Sequence, residues 1–170
     1  MAVQDWLGTW RLDPARTELT FRSPTFWGLA KVKGTFGEVT GTGEATAPNL
    51  VSGQLQLATK SIDTGNAKRD GHLRSADFFD VEKFPTITVD VSSAGLTDTD
   101  TVALHVQLTV KAIPHMLDLP VKVTTLPDGA VRLTTTTSLN RKDFGVDGNL
   151  LGMMGDTTTV EATAVFVKQS

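Results

Sequence analysis

Apolar and polar residues alternate with a period of two over much of this chain. From Leu104 to Val110 the order is Leu, His, Val, Gln, Leu, Thr, Val, with the even positions apolar. Ile87, Val89 and Val91 share one face of a second run, and Leu55 and Leu57 one face of a third. Val131, Leu133, Thr135, Thr137 and Leu139 share one face of a fourth. Successive side chains of a strand point to opposite sides, so this pattern gives each strand one core face and one solvent face, as antiparallel sheets require. The last run, 157–168, alternates less cleanly. The chain holds 26 Thr and 17 Val but only 3 Ile. Stiff β-branched side chains suit a pleated surface.

Turn chemistry separates the runs. Pro127-Asp128-Gly129 sets φ with proline, allows positive φ at glycine, and predicts a hairpin. Residues 97–100 join two further runs, and Pro48-Asn49 divides 31–46 from 53–59. Glycines 34, 37, 41 and 43 predict bulges or sharp coiling, as in a strand bending round a barrel. One stretch, 63–79, is polar without alternation. It predicts about two helical turns, N-capped by Asn66. The chain of 170 residues reads as a single domain over 1–170, all-β, with roughly eight strands and one short helix. A sandwich or a closed barrel both fit. Closure removes the unpaired edges of a Thr/Val-rich sheet.

Composition excludes several chemistries. There is no cysteine and no tyrosine, the net charge is −3, and 21% of residues are charged. Disulfides, thiolate metal sites and cysteine nucleophiles are therefore ruled out, and no basic nucleic-acid footprint exists. No apolar run reaches the roughly 18–20 residues of a transmembrane helix. The start, Met-Ala-Val-Gln-Asp-Trp, lacks the pattern of a signal peptide, so the expected compartment is the cytoplasm.

Catalytic patterns are absent from the sequence. His72, His105 and His115 show neither i,i+4 spacing nor a His-Glu-x-x-His pattern, and no phosphate loop or nucleophile elbow occurs. His105 falls on a polar strand face and should meet solvent. His115 follows Pro114 in an expected turn. His72 sits in Arg69-Asp70-Gly71-His72, where the favoured role is a hydrogen bond to a carboxylate or carbonyl that fixes the segment. Arg141 and Asp143 are spaced for a local ion pair of structural use. Apolar pairs in loops are more informative: Phe26-Trp27, Phe78-Phe79, Leu150-Leu151 and Met153-Met154. They close over a core or line the mouth of a pocket.

Longer motifs carry a family resemblance. Ser61-Ile62-Asp63-Thr64-Gly65-Asn66, Arg69-Asp70, His72-Leu73-Arg74-Ser75, Asp77-Phe78-Phe79-Asp80-Val81 and Phe84-Pro85-Thr86-Ile87 together resemble the signature of the YceI-like family. So do Trp10, Leu12-Asp13-Pro14-Ala15, Lys33-Gly34-Thr35-Phe36, Leu108-Thr109-Val110 with Leu119-Pro120-Val121, and Asn140-Arg141-Lys142-Asp143-Phe144-Gly145. The resemblance implies an extended, eight-stranded antiparallel, lipocalin-like β-barrel with one short α-helical insertion. It implies an apolar tunnel that holds a polyisoprenoid or related amphiphile, with no catalysis and no cofactor. Arg16-Thr17 stand where the family usually has His-Ser, and Lys111-Ala112 where glycine is common.

The expectation is thus a noncatalytic carrier of an isoprenoid-type lipid. Alternation assigns Phe21, Phe36, Leu55, Leu57, Val89, Leu104, Val106 and Leu133 to the ligand tunnel, with Phe26, Trp27, Met153 and Met154 at a mouth. Whether Arg16, in the place of the usual histidine, selects an anionic head group is left open by the sequence. An enzyme using Arg69, Asp70 and His72 on an isoprenoid- or quinone-like substrate is the first alternative. A stress-linked structural domain with a filled barrel is the second. A homodimer stays open.

Overall fold

The structure, a computed structural model, describes residues 6–25, 30–47, 50–146 and 155–169. Eleven strands lie among them: β1 (Gly8–Leu12), β2 (Glu18–Thr25), β3 (Ala30–Phe36), β4 (Val39–Ala47), β5 (Leu50–Ala58), β6 (Ile62–Asp63), β7 (Thr86–Leu96), β8 (Thr101–Val110), β9 (Ile113–Thr125), β10 (Val131–Asn140) and β11 (Thr157–Lys168). One helix, α1 (Ala67–Arg74), joins β6 to β7. All pairings are antiparallel. β1, β4, β5, β7, β8, β9, β10 and β11 follow one another round a ring, which β1 closes by pairing with β11 from Trp10–Lys168 to Leu12–Phe166. The fold is an eight-stranded closed antiparallel barrel with one helix.

β2, β3 and β6 prolong three staves of this ring past a shared bend. β1 and β2 occupy the same edge of β11, one after the other. Between them a 3-10 turn at Pro14–Arg16 is capped by the Asp13 carboxylate, which accepts from the Ala15 N–H at 3.0 Å. β3 and β4 break at Gly37-Glu38, and β5 and β6 at the 3-10 turn Thr59–Ser61. The Gly37 N–H donates to Ser61 O (3.3 Å) and the Ala58 N–H to Glu38 O (3.0 Å), so neighbouring staves bend together. The glycine-thinned run 31–46 is therefore one stave with a corner in it, as expected from its composition.

Local sequence explains the connections. Gly129 adopts φ +87 in the turn after Pro127-Asp128, and its N–H donates to Leu126 O at 3.0 Å. The β8–β9 turn is only Lys111-Ala112, with φ 53 and 60. Two central residues at positive φ suit the twist of a hairpin, at a steric cost that glycine would avoid. β9 therefore begins at Ile113. His115, expected in a turn, is instead a strand residue. Pro114 and Pro120 sit within β9, and neither ends it.

Helix α1 is held by polar contacts more than by apolar ones. The Asn66 side chain caps it, accepting from the Arg69 N–H at 3.0 Å. Asp70 is buried, and its carboxylate accepts from both the N–H and the hydroxyl of Thr64. Arg74 donates to Lys60 O and Ile62 O, each at 3.0 Å. These bonds fasten the helix across β6, and Leu73 of the helix and Phe78 after it are buried. No helix among the described residues is long and apolar enough to cross a membrane.

Two substitutions test this packing. A Cβ on Gly53 would stand 2.8 Å from the Thr42 carbonyl oxygen. We expect Gly53→Ala to destabilise the barrel by about 1–3 kcal/mol in urea unfolding, while Gly95→Ala, with nothing within 4 Å, changes stability by no more than about 1 kcal/mol. Equal effects would contradict the close β4–β5 approach. Asp70→Ala leaves the Thr64 N–H without its acceptor and should cost about 1–3 kcal/mol. Stability equal to the unsubstituted protein would show that the helix is fastened otherwise.

Candidate functional site

The inward side chains of the staves do not meet at the barrel axis. They surround a cavity of about 490 Å³, a size typical of small-molecule sites. An eight-stranded barrel is about the smallest that can leave such a space. Its wall is overwhelmingly apolar, because every stave contributes alternate positions: Leu55 and Leu57 from β5, Ile87, Val89 and Val91 from β7, Leu104, Val106 and Leu108 from β8. Phe21 and Phe36 meet tilted at 5.7 Å between ring centroids, and Phe79 meets Phe36 edge-on at 5.8 Å. Leu73, Phe78 and Phe79 carry the wall across the gap that α1 covers.

All eight tunnel residues expected from alternation, Phe21, Phe36, Leu55, Leu57, Val89, Leu104, Val106 and Leu133, lie on this wall. Phe26, Trp27, Met153 and Met154 lie outside the described residues. Other wall residues escaped the sequence reading. Leu117 and Leu119 line the cavity from β9, and alternation with Met116, Asp118 and Pro120 was their available signal. Trp10, Phe144 and Val146 also line it, the last two from the short turn after β10.

Charged wall residues are few, and most are engaged. Arg69 donates from Nε to the Thr64 hydroxyl and from Nη2 to the Thr64 carbonyl, both at 2.7 Å. His72 Nε2 lies 3.0 Å from Asp77 Oδ2, with its ring edge-on to Phe78 at 5.1 Å. It touches the cavity margin while its side chain remains 53% exposed. Arg141 does not pair with Asp143. It is buried and donates to Gly155 O (2.9 Å) and Val146 O (2.8 Å), tying the ends of the β10–β11 connection together. Both carbonyls lie beyond the local spacing that suggested an ion pair. Glu44 is the remaining ionisable residue among the described wall residues, and it is exposed.

Arg16 is not on the cavity wall. Its Nε donates to Asp13 (2.8 Å) and its Nη1 to Asp128 (2.9 Å), across the β9–β10 hairpin. The Arg16 guanidinium holds the Asp13 carboxyl below the usual carboxylate range. The Ala130 N–H, and after it Arg16, lowers that of Asp128. Those two carboxylates raise Arg16 in turn. Its charge is paired on the outside of the barrel. His105 meets solvent as expected, paired on the outer face with Asp118. Among the described residues, no group of three or more potential ligands is placed to hold a metal ion.

Comparison with known proteins agrees with this architecture. A UPF0312 protein of Azotobacter vinelandii is 30% identical over 72% of this chain and 68% of its own length. A UPF0312 protein of Staphylococcus aureus is 29% identical over 91% of this chain and 94% of its own. Among solved structures, BcnA of Burkholderia cenocepacia superposes with a TM-score of 0.82 at 18% identity, covering 91% of this chain and 98% of BcnA. A polyisoprenoid binding domain from Saccharophagus degradans, implicated in plant cell wall breakdown, gives 0.80 at 17%, covering 94% and 98%. At such identities the likeness is one of fold. The model of the YceI-like domain matches residues 10–166, and the chain belongs to that family.

Proposed function

We propose that this protein is a noncatalytic carrier that holds a polyisoprenoid or similar long amphiphile in the barrel cavity. The carrying observation is the cavity itself: about 490 Å³ whose wall is mostly aliphatic and aromatic side chains. A filled barrel would bury those side chains against one another. Here Leu55, Val89, Leu104 and Leu133 keep surface free toward the interior. Each methylene moved from water onto that surface contributes about 0.8 kcal/mol before the costs of binding. Apolar side chains outnumber polar ones on the described wall, so recognition rests chiefly on hydrocarbon. The Saccharophagus degradans domain, described as polyisoprenoid binding, supports the same ligand class. Phe21, Phe36, Leu55, Leu57, Val89, Leu104, Val106 and Leu133 are the proposed contacts, with Phe26, Trp27, Met153 and Met154 retained as proposed mouth residues.

The enzyme reading draws on one observation, that His72 and Arg69 reach the cavity margin. Against it, the Nε and Nη2 of Arg69 are given to Thr64, the Asp70 carboxylate to the same residue, and His72 Nε2 to Asp77. These bonds fasten α1 and leave no side chain paired as nucleophile and base.

Geranylgeraniol at a hundredfold excess over its Kd should raise the Tm by about 5–10 °C. Val89→Trp fills the cavity and should abolish the shift while the protein stays folded. His72→Ala should keep the shift. No shift in the unsubstituted protein, or an undiminished shift in Val89→Trp, would contradict the cavity as the binding site.

A further inference from the structure

Among the described residues, β9 and β10 are paired over only part of their length, and the chain builds this in. β9 pairs with β8 along most of its length, from Ile113–Val110 to Lys122–Thr101. Its other edge meets β10 over four pairs only, Thr125–Val131 to Lys122–Thr134. The Val123 N–H donates to Asp100 O at 2.7 Å. Odd positions of β9 therefore turn their backbone groups toward β8, and even positions toward β10. Back from Lys122, the next even positions are Pro120, Asp118, Met116 and Pro114. Two of these four have no N–H to give. The ladder stops at the first of them, where the Thr135 hydroxyl donates to the Pro120 carbonyl at 2.8 Å. Beyond it, among the described residues, no backbone pairing joins 113–121 to 135–140.

This seam lies over the cavity. Leu117 and Leu119 on one side, and Thr137 and Leu139 on the other, are wall residues. On the outer face Met116 is 64% exposed, so apolar side chains stand on both sides of the seam. The slot is bounded at one end by the Lys122–Thr134 pair. At the other end Lys111 Nζ donates to Gly145 O (2.8 Å), and the His115 ring lies 4.7 Å from that of Phe144. Between these limits β9 runs for about 20 Å. Passage of a chain-like molecule through another long joint, such as β7–β8 or β10–β11, breaks a continuous run of backbone bonds. Passage through this one breaks no ladder.

We propose that the β9–β10 seam is a side port through which the hydrocarbon tail of the amphiphile passes into and out of the cavity. This rests on the carrier reading and adds its route. The chain has no cysteine, so thiols can be introduced cleanly. Met116→Cys with Ser138→Cys, bridged by a bis-methanethiosulfonate reagent that spans the slot, should slow both binding and release of dansyl-labelled geranylgeraniol at least about tenfold in stopped flow, with Kd changed less than about threefold. Cleaving the bridge with dithiothreitol should restore both rates. A matching bridge between Gln54→Cys and Asp90→Cys, direct partners across β5–β7, should change neither. Pro120→Val, which supplies the missing N–H, should slow exchange without any crosslink. Unchanged rates across the bridged seam, or equal slowing by the β5–β7 bridge, would overturn the port alone. Failure of the unsubstituted protein to bind the probe would overturn the carrier reading and the port with it.

Discussion

Everything in this structure depends on the closure of the sheet. The β1–β11 pairing joins the first strand of the chain to the last and turns a meander with two open edges into a ring. Closure satisfies the edge groups that a threonine- and valine-rich sheet would otherwise expose. It also creates an inside. Alternation then acts without further instruction, sending one set of side chains to water and the other to a common interior. In an eight-stranded ring the geometry sets the width of that interior, and the side chains present do not fill it. The cavity is thus a consequence of closure combined with modest inward residues, chiefly valines and leucines.

The departures from a regular barrel are where the chain does something particular. The shared bend at Pro14–Arg16, Gly37-Glu38 and Thr59–Ser61 lengthens three staves past the body of the barrel. The polar insertion that follows provides a helix which lies over the gap they leave, fastened by Asp70 and Arg74. Charge is kept outside or tied down: Arg16 between two aspartates on the exterior, Arg141 on two carbonyls, Arg69 on Thr64. The described wall that results is mostly apolar.

Much of this was legible in the sequence, for reasons that are local. Strand direction, face assignment and hairpin position follow from neighbours two to four residues apart. The wall residues from Phe21 to Leu133, the Asn66 cap and the Pro127-Asp128-Gly129 turn were therefore readable. The long motifs around Ser61–Ile87 made the fold family readable as well. What failed was non-local or ambiguous. Arg16 finds Asp128, 112 residues away, and no spacing rule anticipates that pair. Arg141 is held by the Val146 carbonyl and by that of Gly155, at the far end of its own loop. His115, after Pro114, reads as a turn residue, yet Ile113–Thr125 is one strand. In this barrel both prolines turn their missing donors to a side where no partner waits, and the strand continues. Whether the interior is filled or hollow depends on strand number and tilt, which alternation alone does not specify.

The central claim is that the interior holds a hydrocarbon ligand. Native mass spectrometry of the protein purified from its source host, without detergent, tests it most directly. The claim predicts one bound lipid per chain, of defined mass, released on activation in the gas phase. Protein that flies only at its sequence mass, from the same preparation that keeps its fold, would contradict it.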